Sequence, residues 1–340
     1  MLTLLLTWML ILPLAVQAEG ENVSYSVEAL IPENQIDQRQ SYFDLNMKPN
    51  QKQELAVLIH NNEHEEITVL LSVNNATTNS NGLVIYEEKE EFDPSLKVPL
   101  NEILRFKEEE VTIPAGKSKT VTAELEMPEE EYDGIILGGF QFEKVMEEEE
   151  ASEGVNIQNK YVYVIGVQLS ENRDEVLPDL HLNSIRPNLV NHRTAVVANI
   201  QNSEPVLIKN MKVNASVYKK GKKDVLKEKK QEEINMAPNS NMDIIIDWDN
   251  KALEPGTYLL EMEALHEEEI WKWKEEFVIE KEDAKDLNKN AIELDDNKMG
   301  TWLLIGIIIL LIVVIILLIY IRKLKSKQNH IQDENDDSTV

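Results

Sequence analysis

The chain has 340 residues, 62 acidic against 34 basic side chains for a formal net charge of −28, and no cysteine. That charge opposes binding to nucleic acid or to an anionic wall polymer, whose phosphates it repels, and favours steering of a basic protein partner. Without cysteine there is neither a disulfide framework nor a thiol nucleophile; membrane-anchored ectodomains of this size in animal cells usually carry disulfides, so the composition points to the envelope of a Gram-positive bacterium.

Residues 1–18 read as a secretory signal: "LLLTWMLILPLAV" is a short apolar run, and Val16-Gln17-Ala18 offers small residues where a signal peptidase cuts. The positively charged segment that ordinarily precedes such a run is absent. An uncleaved N-terminal anchor and a start codon placed too far downstream are therefore the alternatives.

The following 280 or so residues are too many for one small domain and suit two of ordinary size. Apolar residues alternate with polar ones at Ile67, Val69, Leu71 and Val73, at Val121, Ala123, Leu125 and Met127, at Met211, Val213, Ala215 and Val217, and at Met242, Ile244, Ile246 and Trp248. Period two means half-buried strands. The clusters "NNATTNSNG", "IPAGKSK", "YKKGKKD" and "MAPNSN" between them read as turns, spaced as a β-sandwich requires.

The two halves echo each other. Lys48–Asn74 and Arg186–Val217 each order a Pro-Asn turn, an apolar strand, an Asn/Glu turn and an alternating strand. Further on, Tyr132 and Tyr258 each follow a proline and precede a strand; the prolines Pro49 and Pro187 are 138 residues apart and the tyrosines 126, so the period is loose. The expected architecture is all-β, two tandem immunoglobulin-like β-sandwich domains plus one C-terminal transmembrane α-helix. By this alignment "NKYVYVIGVQL" is the last strand of the first domain and the acidic "MEEEEASEGVN" a loop within it. The expected boundaries are 19–174 for the first sandwich, 175–283 for the second, with a sequence profile free to cut near 155, and 284–299 for a tether.

Residues 300–321 contain 21 consecutive uncharged residues from Thr301 to Ile321, enough at about 1.5 Å per residue for the hydrocarbon core. Trp302 and Tyr320 sit at the interfaces, and Arg322, Lys323, Lys325 and Lys327 direct the polar tail, 322–340, to the cytoplasm, leaving a single-pass protein with its bulk outside.

Catalytic signals are weak. "HNNEH", His60 to His64, matches an inverted zinc-protease pattern, but it sits in a turn between strands rather than on a helix, so no metal site is expected there. "AGKSKT" resembles a phosphate-binding loop, but Val111 stands where the first glycine is needed, and it reads as a hairpin turn. The acidic runs Glu147–Glu150 and Glu267–Glu269 lack the spacing of a calcium loop. No catalytic residue, cofactor or metal is expected, and the chain is not read as an enzyme. Trp271 and Trp273 share a strand face with Phe277 and Ile279, which favours a core role over a sugar platform.

One stretch stands out, "EYDGIILGGFQFE", Glu131 to Glu143, with three glycines in an apolar strand whose counterpart in the second domain, "YLLEMEAL", has none. Tyr132 reads as a structural corner tyrosine bonded back to its own chain. Bare backbone at Gly138 and Gly139 lets a ligand or a neighbouring backbone approach closely, with Phe140 flanking the gap, while a bulge without ligand is the equal alternative. The candidate ligand-binding residues are Tyr132, Asp133, Gly138, Gly139 and Phe140, and a bulky residue at Gly138 is expected to abolish binding without unfolding.

The "VTIPAGKSKTVTAELEMP" and "YDGIILGG" segments, the second-domain "SIRP", the N-x-x-P-x-x-I pattern from Asn202 to Ile208, "LEPGTYLLEMEA" and the terminal helix with its basic stop together resemble the WxL-interacting proteins of Gram-positive bacteria. The resemblance covers nearly the whole chain. It implies a first domain that binds peptidoglycan, a second that engages host matrix or another surface protein, and WxL-domain surface proteins as partners. A membrane-anchored assembly chaperone or structural stalk for WxL proteins, without direct glycan binding, is the competing function.

Overall fold

The computed structural model describes residues 24–89, 91–146, 161–172, 174–292, 294 and 298–336. The signal segment and most of the acidic loop, from 147 to 160, lie outside them.

The first sandwich contains β1 (Tyr25–Leu30), β2 (Phe43–Asn46), β3 (Lys52–Asn61), β4 (Ile67–Asn75), the short β5 (Thr77–Thr78) and β6 (Val84–Ile85), one turn of helix α1 (Leu100–Ile103), β7 (Leu104–Phe106), β8 (Glu110–Ile113), β9 (Ser118–Glu126), β10 (Ile136–Lys144) and β11 (Val162–Ser170). One sheet has the order β1-β3-β9-β7 and the other β2-β11-β10-β4-β8. The period-two pattern sets which face is inside: Val121, Ala123 and Leu125 of β9 and Met127 just beyond it are all buried, as are Ile67, Val69 and Leu71 of β4. Each large apolar side chain buried this way contributes roughly 1.5–3 kcal/mol. Aromatic rings close the core, Phe140 standing 4.6 Å from Phe106 and 5.8 Å from Phe43 between centroids.

The second sandwich contains β12 (Leu180–Val190), β13 (Arg193–Asn202), β14 (Ile208–Lys219), β15 (Val225–Met236), β16 (Ser240–Asp247), β17 (Gly256–His266) and β18 (Glu269–Ile279). Its sheets, β12-β13-β16 and β15-β14-β17-β18, repeat the first sandwich strand for strand: β1-β3-β9 in one layer, β8-β4-β10-β11 in the other. The repeat extends to single side chains. Asn61, at the end of β3, is fully buried; its amide donates to the carbonyls of Glu65 (2.7 Å) and Ile113 (3.0 Å), and its oxygen accepts from the Glu63 N–H (2.8 Å). Asn202, at the end of β13, does the same with Val206 (2.8 Å), Ala237 (3.0 Å) and Glu204 (3.3 Å). In each domain one asparagine ties the first inter-sheet corner to the far end of another strand.

Several expectations change in the structure. Pro187 is not in a turn: it lies inside β12, opposite Val196, and is tolerated because β12 is an edge strand whose missing N–H leaves no ladder bond broken. The turn comes at Asn191 and His192, both at positive φ, which form the two-residue connection between Val190 and Arg193. "AGKSKT" does not close a hairpin; it carries the chain from β8 in one sheet to β9 in the other, through a turn with Gly116 at φ +62. Tyr258 is the corner tyrosine, its hydroxyl donating to Glu254 O at 2.7 Å, whereas the Tyr132 hydroxyl reaches Asn239 of the second sandwich at 3.4 Å. The expected tether is helical at its start: α2 (Lys281–Asn290) docks on the second sandwich through buried Ala284 and through Asn288, whose side chain bonds both the N–H and the carbonyl of Leu253. Trp271 and Trp273 pack against the second core, as their strand face implies. Beyond, α3 (Lys298–Asp336) contains the window Leu304–Lys323, long and apolar enough to cross a membrane and not buried against the rest of the chain.

Two turn clusters prove to be the joint between the sandwiches. Residues Asn74 to Thr78 and Met236 to Ser240 are buried, and they face each other. The Thr78 hydroxyl lies 2.8 Å from that of Ser240 and accepts the Ala237 N–H at 2.9 Å; the Asn235 N–H donates to Gly82 O at 2.8 Å. Alongside, buried Asp93 accepts from Gln201 (2.6 Å) and Asn241 (3.0 Å) across the joint and from the Ser95 N–H and hydroxyl. Burial opposes ionisation of Asp93, but the hydrogen bonds from Asn241, Ser95 and Gln201 together outweigh it and hold its carboxyl below the ordinary range. A carboxylate depressed in the folded state stabilises above its unfolded pKa and loses that contribution as pH falls through the folded value. Acidification below pH 4 (~3.9 is the unfolded value) is therefore expected to loosen the joint. Protection of the Asn235 and Ala237 amides from hydrogen exchange, relative to the unfolded rate at the same pH, should fall there in the natural protein, and in Asp93→Asn at neutral pH as well.

Candidate functional site

The glycine-rich strand answers to its own chain. Gly134 has φ +83, and a Cβ built on it would lie 2.4 Å from the Pro205 carbonyl oxygen, which accepts the Ile135 N–H at 2.8 Å. Only glycine lets the two backbones meet there. The two most distinctive segments of the sequence, "YDGIILGG" and N-x-x-P-x-x-I, thus touch each other across the joint. Gly138 and Gly139 then face opposite sides of β10. A Cβ on Gly138 would stand 2.4 Å from Asn74 O and 2.5 Å from Leu100 Cδ2, so α1 fills the space, pinned by the Asn75–Asn101 side-chain bond at 3.0 Å. Phe140 is fully buried on that same inner face, so it flanks no solvent gap. Tyr132 faces the second sandwich, and burial, with the nearby Glu204, pushes its hydroxyl up to about 12. Exposed Asp133 bonds Asn172 at 2.8 Å.

Of the five residues singled out in the sequence, Tyr132 and Asp133 line a cleft at the joint with Ser203, Glu204 and Pro205, while Gly139 is buried and lies beneath the Tyr86 ring at the base of a groove on the outer face of β10 and β11. Gly139 pairs directly with Gly166 of β11, so two adjacent strands present bare backbone on the outer face. Tyr86 lies against this floor, its ring 3.3 Å from the Cβ position of Gly139 and its hydroxyl 3.8 Å from that of Gly166, and Tyr42 closes on Gly166 at 3.8 Å. The groove encloses about 470 Å³. Tyr42 and Val164 remain 38% and 44% exposed, enough to offer apolar faces to a bound molecule. Leu207 and Lys209 of the second sandwich form part of its wall.

Polar groups line the same sheet face in an ordered ladder. The Asn74 amide donates to Gln141 (2.7 Å) and to Tyr86 O (3.1 Å), and Gln168 donates to Asp44 at 2.9 Å. Burial raises both tyrosine hydroxyls above their ordinary value, reinforced for Tyr42 by Asp44 and Asp37, so both stay protonated donors at neutral pH. Aromatic faces beside amide and carboxylate groups on a side-chain-free floor suit a flat ring with apolar C–H faces and hydroxyl or amide edges, the chemistry of a saccharide. No group of three or more side chains able to hold a metal occurs among the described residues.

Tyr42 and Tyr86 escape sequence reasoning because both sit in loops far from β10. The paired glycines were the accessible signal, since Gly166 lies in the strand expected to neighbour Gly139.

Residues 25–144 match the family model of the WxL Interacting Protein, peptidoglycan binding domain, and residues 152–289 that of the WxL Interacting Protein, host binding domain. The chain belongs to the WxL-interacting protein family. Both matched models describe binding domains, and they make this WxL-interacting protein a cell-surface binding protein. The second match begins at 152 and so takes in β11, which pairs with β10 of the first sandwich. No curated protein matches the chain. Among solved structures, it is similar to a chaperone-tip adhesin complex of CFA/I fimbriae biogenesis (10% identity, 75% of this chain and 98% of that chain, TM-score 0.31). It is also similar to the class 5 fimbriae chaperone CfaA (12%, 74% and 99%, 0.28) and to the CsuC-CsuE pre-assembly complex of Acinetobacter baumannii (10%, 68% and 93%, 0.30).

Proposed function

We propose that this WxL-interacting protein is a non-enzymatic clamp: α3 holds it in the cell membrane, the first sandwich attaches to peptidoglycan through the groove lined by Tyr42, Tyr86 and Gly166, and the second presents a surface to host matrix or surface proteins. The basic residues after the membrane helix, Arg322, Lys323, Lys325 and Lys327, support a cytoplasmic C-terminus, with the sandwiches in the wall. WxL-domain surface proteins are the partners the family name suggests, and the acidic surface suits steering of a basic one.

The observation that carries the reading is the tyrosine-walled, glycine-floored groove on the domain whose family model is peptidoglycan-binding. Full-length protein in detergent micelles is expected to pellet with purified peptidoglycan. Tyr86→Ala should weaken that binding by roughly tenfold, the loss expected of a well-placed aromatic anchor, without changing the dichroism spectrum. Unaltered pelleting of the variant would remove the groove from the account.

A further inference from the structure

We infer that the groove is a composite site completed by the second sandwich, and that Lys209 is the anion anchor for a carboxylate carried by the bound saccharide. The inference rests on reading the groove as a glycan site. It narrows the ligand to an acidic sugar and gives the so-called host-binding domain a part in holding it.

Three observations support it. The first is position: Lys209 lies at the start of β14, four residues after Pro205, whose carbonyl is fixed by the Ile135 N–H at 2.8 Å, so the joint that seats the second sandwich also seats this wall of the groove. The register between β14 and β15 shifts between Ile208 and Met211, with Asn210 at φ +56, and this bulge leaves Lys209 exposed. The second is charge: Lys209 forms no ion pair among the described residues, while Lys212, Lys219 and Lys220 of the same strand and its turn all do. In a chain of net charge −28 an ammonium kept unpaired beside two tyrosines is available to an incoming anion. The third is the boundary beyond it, where Glu175 and Glu267 to Glu269 line an adjoining groove of about 610 Å³ together with Lys209. Those carboxylates repel a polyanion, so the site fits a single acid on an otherwise uncharged glycan, as an N-acetylmuramic acid unit has in its lactyl group where no stem peptide is attached.

Two soluble probes separate this inference from the reading beneath it: the disaccharide of N-acetylglucosamine and N-acetylmuramic acid without a stem peptide, with one free lactyl carboxylate, and the neutral N-acetylglucosamine disaccharide. The full-length protein should bind the acidic disaccharide more tightly, and Lys209→Gln should weaken it about tenfold, far more than it weakens the neutral one. Lys209→Arg should restore binding. Tyr86→Ala should weaken both probes. Loss with Tyr86→Ala but none with Lys209→Gln, or equal affinity of the natural protein for the two probes, would overturn the anchor and leave the glycan site standing. No loss with either variant would overturn both.

Discussion

Gly138→Val is expected to destabilise the first sandwich rather than to block a binding surface. The added side chain would meet the Asn74 carbonyl oxygen at 2.4 Å and Leu100 at 2.5 Å, one fixed in the β4–β10 ladder and the other fully buried beneath α1. Neither can retreat without opening the pairing of Gly138 with Asn75 or lifting α1 from the sheet. Overpacking a core of this density costs about 3 kcal/mol or more, against a typical domain stability of roughly 5–15 kcal/mol. Thermal or urea unfolding of the variant should show the loss. Gly139→Ala supplies the contrast: its nearest neighbours stand at 3.1 to 3.3 Å and two of them are side chains, so the fold should survive while Tyr86, which lines the groove, is displaced. Weakened glycan binding with an unchanged unfolding midpoint would assign the two glycines to different tasks.

Asn202→Asp should be the most damaging isosteric change in the second sandwich, and Asn61→Asp its equal in the first. In each case the substitution keeps the oxygen that accepts the N–H two residues on, and replaces the amide that donates to two carbonyls with an oxygen. The new oxygen faces two carbonyl oxygens with no donor and the buried carboxylate gains no counter-ion, a loss of about 3–5 kcal/mol. Because Asn202 starts the segment that carries Pro205 to the joint, its variant should also release the contact at Gly134, whereas Asn61→Asp should leave the joint intact. Hydrogen exchange at Ile135, whose N–H is held by Pro205 O, reads this difference directly.

The sequence patterns that depend on period two carried through well: the inward-facing residues of β4, β9, β14 and β16 are those the alternation marks, and the echo between the halves is an equivalence of sheet order. Parity also held information about Phe140, since Ile136, Gly138, Phe140 and Phe142 must share one face and the flanking pair are core residues. The repeated Asn-x-Glu at Asn61 to Glu63 and Asn202 to Glu204 was legible too, once the halves were aligned. What composition hides is the joint. "NNATTNSNG" and "MAPNSN" have the polarity of solvated turns, and they are buried because each satisfies the other's hydrogen-bonding groups, a pairing between residues about 160 apart that no local pattern encodes. The groove is hidden for the same reason, assembled from Tyr42, Tyr86, Val164, Gly166 and Lys209, which only the fold gathers.

The joint gives the arrangement its functional sense. The proposed clamp between membrane and wall would pass force through its own chain, and hydrogen bonds between buried turns couple the two sandwiches more tightly than a flexible linker would. It also places residues of both domains around one groove.

The most direct test is to titrate isotopically labelled full-length protein in micelles with soluble peptidoglycan strands and follow the amide resonances. The account predicts the largest shifts at Tyr42, Tyr86, Gly139 and Gly166 together with Leu207 and Lys209. Shifts confined to other surfaces, with those six unmoved at saturation, would contradict it.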